Sequence, residues 1–110
     1  MYFINIIIRM QSLCLYLPNV SPDYKYRDIK NIFTKYNFGT INYINIVKTE
    51  FPYNRVFIDF NVWFNTQRNN MLKKNLIEGL SFKLFHDKYD FWNCYLAKSK
   101  PKSSSFDRAL

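Results

Sequence analysis

Tyr53-Asn54-Arg55-Val56-Phe57-Ile58-Asp59-Phe60 is the stretch on which the fold turns. Val56, Ile58 and Phe60 alternate with Arg55, Phe57 and Asp59, the period of two that a strand shows when one face is buried. The pleat then fixes the sides. If the aliphatic set faces a core, Arg55 and Phe57 face away from it, and Asp59 with them. Upstream, Lys48 to Asn54 contains Pro52 and reads as a loop, and the Ile-rich run Thr40 to Val47 reads as a strand before it.

Further upstream, Ser12 to Leu17 is a short apolar run closed by Pro18-Asn19, a strand followed by a turn. Ser21-Pro22-Asp23 offers an N-cap, a first-turn proline and a first-turn acid. Ile29, Ile32, Phe33 and Tyr36 then fall on one helical stripe, with Lys30, Asn31 and Lys35 on the other side. Asn37-Phe38-Gly39 ends the helix, Gly39 being free to take a left-handed cap. Downstream, Asn65 or Thr66 can cap a second helix running to about Glu78, with Leu72 and Leu76 as its buried pair and Gly79 as its stop. Phe82 to Phe85 reads as a fourth strand, and Phe91 to Ala97 as a further one that returns across His86 to Asp90.

Strand, helix, strand, strand, helix, strand is the split-βαβ (ferredoxin-like) order. It predicts an α+β fold: a four-stranded antiparallel sheet, two helices on one face through right-handed crossovers, and an extra C-terminal strand. The second sheet face is then left bare. Leu15, Leu17, Val56, Ile58 and Phe60 turn toward the helices, which sends Tyr16, Arg55 and Phe57 to the bare face.

Composition narrows the classes. The chain has 110 residues, enough for one core, and 48% hydrophobic with 22% charged residues is a globular mix rather than a disordered one. Sixteen Lys and Arg against eight acids leave +8, which calls for anionic partners. Two glycines leave little material for a Gly-rich nucleotide loop. Codons poor in G and C also raise Phe, Tyr, Ile, Asn and Lys, so the 20% aromatic content alone argues nothing. Cys14 and Cys94 have no metal-knuckle spacing and are too few for a disulfide scaffold, which points to a reduced intracellular setting. The run Phe3 to Ile8 is about a third of the ~20 residues a membrane span needs, so no membrane association is expected. Residues 1–11 read as an added strand, as a loose extension, or as upstream sequence before a second start at Met10. Residues 12–97 form the domain, and 98–110 a basic tail of four cationic residues and one acid, expected to be disordered.

Leu15-Tyr16-Leu17-Pro18-Asn19-Val20 fits the aliphatic, aromatic, aliphatic, any, Asn, aliphatic hexamer of the RNA recognition motif, and the chain resembles that family over residues 12–86. The family's octamer falls on Tyr53 to Phe60. Its last four positions fit, with Phe57 as the second stacking aromatic; Tyr53, Asn54 and Arg55 replace the basic residue, glycine and aromatic of the pattern. Arg55–Asn65 and Asp90-Phe91-Trp92 also resemble small RNA-recognition-like proteins of large DNA viruses. The resemblance implies single-stranded RNA as partner, bound by stacking on Tyr16 and Phe57, with Arg55 contributing a planar cation.

Tyr53, Tyr43 and Phe85 extend the expected platform on strands 3, 2 and 4, and Lys83 with the tail lysines is expected to meet phosphates. The competing reading keeps the fold and covers the aromatics with the N-terminal segment, with residues after Asp90, or with a protein partner, making the domain a protein-interaction module. Asp59 on the bare face would repel phosphate. His86 has no second ligand beyond Asp87 and Asp90 nearby, and neither cysteine has a histidine partner. No catalytic constellation, metal site or cofactor is therefore expected.

Overall fold

The computed structural model describes residues 13–97. The run Phe3 to Ile8 and the basic tail lie outside the described residues. In chain order the elements are β1 (Leu13–Val20), α1 (Tyr26–Tyr36), β2 (Gly39–Lys48), β3 (Asn54–Trp63), α2 (Gln67–Ile77), β4 (Phe82–Phe85) and β5 (Phe91–Leu96). The strands form one antiparallel sheet in the order β2-β3-β1-β5-β4. The fold is α+β and compatible with the ferredoxin-like arrangement.

Strand count and order correct the four-stranded expectation. The strand beside β1 is β5, not Phe82–Phe85, and β4 forms the outer edge, paired only with β5. The reason lies in what each strand can bury. Trp92 and Cys94 of β5 are buried, with Leu96 packed against the same core, whereas β4 buries only Leu84 fully and leaves Lys83 and Phe85 exposed. A short strand with a lysine suits an edge.

The core lies on one side of the sheet, where Leu15, Leu17, Val56, Ile58 and Phe60 meet Ile29 and Phe33 of α1 and Leu76 of α2. Trp63 and Trp92 close it. Trp63 Nε1 donates to the carbonyl of Asn69, 2.9 Å away. The amide of Asn69, fully buried at the start of α2, donates to the carbonyls of Phe38 and Phe64, each at 3.1 Å. That buried side chain ties α2 to the ends of α1 and β3.

The helix ends differ in detail from the sequence reading. Ser21 to Tyr24 form a turn, closed by the Tyr24 N–H on the Ser21 carbonyl at 3.0 Å. Helix α1 begins after Lys25, whose N–H donates to the Asp28 carboxylate at 2.9 Å. Asn37, not Gly39, takes the left-handed cap, at φ 56°. Gly39 instead opens β2 opposite Trp63, where an added Cβ would lie 2.0 Å from the Val62 carbonyl oxygen. At α2, Thr66 Oγ1 accepts from the Asn69 N–H at 3.1 Å, and Gly79 at φ 92° closes the helix. The Gly79 and Leu80 N–H groups return to the Leu76 and Asn75 carbonyls, a double closure of the helix end. Among the described residues, no helix is long and apolar enough to cross a membrane.

Candidate nucleic-acid interface

The sheet face away from the helices is organised in rungs running across the strands. Phe57 lies opposite Tyr16, Tyr16 opposite Tyr95, and Asn45 opposite Phe57, so Asn45, Phe57, Tyr16 and Tyr95 form one rung across β2, β3, β1 and β5. The Tyr16 and Phe57 ring centroids are 5.0 Å apart with planes 29° from parallel; Tyr95 is 6.5 Å from Tyr16, tilted by 46°. Tyr16 and Phe57 are half-buried, and Tyr95 is 38% exposed. Alternation produces the row: the aliphatic neighbours of each ring occupy the core, so the rings have only the other face.

A second rung lies one pleat along. Arg55 is exposed beside Phe57 and opposite Val47, and on the far side of the sheet Asn93 pairs with Lys83, also exposed. At this level β1 is irregular, its register with β3 shifting between Leu17 and Val20. Arg55 and Lys83 thus stand on the same side of the aromatic rung, one pleat along from it, on β3 and on the edge strand β4.

The rung on the other side of the aromatics contains Tyr43, Asp59 and Cys14, with Tyr43 and Cys14 each opposite Asp59. Here the face is shielded: Asp59 is 2% exposed, Cys14 is buried, and Asn42 Nδ2 donates to Asp59 Oδ2 at 2.9 Å. Burial, then the Asp59 charge, then Cys14 push the Tyr43 phenol above its ordinary range. The acid that the sequence places toward a bound phosphate is thus withdrawn from solvent, and the exposed charges of the neighbouring rung are cationic.

The remaining expected residues fall elsewhere. Tyr53 precedes β3 and stacks on Phe51 in the loop, with centroids 5.6 Å apart, so it does not extend the row. Lys83 and Phe85 lie on β4 and cluster around Phe91: the Lys83 ammonium is 5.1 Å from the Phe91 ring centroid, and Phe85 is 5.2 Å from it. They share the face but not the aromatic rung. Tyr95 is the residue missed by sequence reasoning. Its signal was present, because Trp92, Cys94 and Leu96 alternate inward and send Tyr95 outward, but it has that role only once β5 is beside β1.

A separate polar cluster joins the β4–β5 turn to the segment before α1. The buried His86 ring lies 3.0 Å through Nδ1 from the Tyr24 hydroxyl and 3.5 Å through Nε2 from Asp90, and packs on Trp92. Burial foremost, then the acids Asp90 and Asp87, raise the Tyr24 phenol. The cluster pins the hairpin that carries β5. Among the described residues no group of three or more His, Cys, Asp or Glu could hold a metal ion.

Comparison with protein-family models, with curated proteins and with solved structures gives no match.

Proposed function

We propose that the domain binds single-stranded nucleic acid, RNA in particular, on the sheet face away from its helices. One observation carries the reading: Phe57, Tyr16 and Tyr95 form a single aromatic rung, with Arg55 and Lys83 on the adjacent rung. Bases stack on the rings, and the cations draw the phosphates to one side of them. Stacking accepts any base, so this chemistry predicts weak sequence preference from the rings themselves.

Truncating the rings tests it. In a fluorescence-anisotropy titration with a labelled octauridylate at low salt, the Tyr16→Ala, Phe57→Ala double variant should lose at least about 2 kcal/mol of binding free energy, from ~1–3 kcal/mol per stacked base. Thermal melting of the variant confirms that it still folds. An unchanged dissociation constant, or no binding by the unaltered protein, rejects the reading.

A further inference from the structure

The aromatic rung does not end flat. β4 begins at Phe82, which pairs with Cys94, so Tyr95 and Leu96 lie beyond the last β4 pairing. At that corner a groove of about 580 Å³ runs from Tyr16, Phe57 and Tyr95 round the end of β5 to Ile77 and Leu80. Ile77 and Leu80 are 62% and 54% exposed, and both line the groove. They project there because the double closure at Gly79 turns the chain sharply after α2 and holds Leu80 beside the last turn of the helix.

We infer that this notch seats a nucleobase of the bound strand that has left the sheet, held between the Tyr95 ring and the aliphatic pair Ile77 and Leu80. The inference rests on the sheet-face reading above and adds a position to it. Three features select a base. The groove shares Tyr16, Phe57 and Tyr95 with the rung, so a strand stacked there reaches the notch without a break. Its lining carries no charge, which suits the flat apolar faces of a base and not a phosphate. The exposed charges on the adjoining rung, Arg55 and Lys83, are both cationic and leave the phosphates on the sheet side. Glu78, between Ile77 and the turn, does not line the groove.

The test uses octauridylate and a uridine dinucleotide with the full chain. On adding the octamer, the methyl signals of Ile77 and Leu80 should shift, and the Ile77→Ser, Leu80→Ser double variant should bind it about tenfold more weakly, within what one stacked base is worth. The dinucleotide, which the rung alone accommodates, should bind both proteins equally. Unshifted methyls, or an unchanged octamer constant in the notch variant, would overturn the inference; if Tyr16→Ala, Phe57→Ala still weakens the octamer, the sheet-face reading survives that result. Should the ring variant also bind as the unaltered protein does, both readings fail together. A notch variant that binds RNA normally but loses an apolar peptide ligand would likewise overturn the base assignment. The methyl shifts are read on the unaltered protein, so the outcome does not depend on the variant folding.

Discussion

Replacing Asn69 by Leu would remove the donor that serves the carbonyls of Phe38 and Phe64, and would put no polar group in its place. Each carbonyl keeps a backbone donor, the Phe64 N–H on Phe38 and the Thr66 N–H on Phe64, so Asn69→Leu removes two hydrogen bonds without leaving an acceptor bare; at ~0.5–1.5 kcal/mol each it should destabilise the domain by about 1–3 kcal/mol, read as a lower urea midpoint. An unchanged midpoint would show that the backbone donors alone hold this junction. This role was not legible in the sequence, where an Asn in the first turn of a helix reads as a surface or capping residue. The same limit applies at the end of α1. Asn37 and Gly39 both tolerate a left-handed backbone, and only the approach of β3 reveals that Gly39 is needed for clearance while Asn37 makes the turn. At Gly79 the sequence reading and the backbone agree. Its left-handed conformation with open space around it predicts that Gly79→Ala costs ~1–2 kcal/mol from backbone strain alone, without loss of packing.

Alternation made β3 legible, apolar runs bounded by turn residues did the same for the other strands, and the pleat then sent Tyr16 and Phe57 to the face away from the helices. Alternation did not set the order of β4 and β5. Both have outward and inward residues in turn, and period alone says nothing about which lies nearer β1; the number of large inward side chains decides that, and β5 has more. With β5 inside, Cys94 becomes a core residue whose thiol is pushed up by burial. A thiol that stays protonated in the folded state while ionising in the unfolded chain contributes stability below the ordinary thiol range, and that stability is lost as pH rises through it. The unfolding free energy should therefore fall above about pH 8.5, by up to ~1.4 kcal/mol per pH unit for this group. The raised Tyr24 and Tyr43 phenols add in the same direction at higher pH. Denaturant midpoints measured from pH 7 to 10 should show the decline, and Cys94→Ala should flatten it between pH 8.5 and 9.5; an equally steep variant would assign the loss elsewhere.

Across the whole molecule the charge of +8 divides into +3 in residues 98–110 and +5 before them. Basicity alone points to polyanions in general, and what narrows it is arrangement: a shielded acid, an aromatic rung, and Arg55 and Lys83 exposed on one side of that rung. Binding to single-stranded RNA should weaken with salt, and Arg55→Gln should reduce the slope of log affinity against log salt by about 0.7 if Arg55 neutralises one phosphate. An unchanged slope would make Arg55 a stacking residue or a bystander. Backbone amide shifts during an octauridylate titration read out whether the nucleic acid lies on the face away from the helices. Saturable shifts should cluster at Tyr16, Arg55, Phe57 and Tyr95, with the exposed side of α1 unaffected. Shifts confined to α1 or to the basic tail, with that rung unmoved at saturation, would contradict that placement.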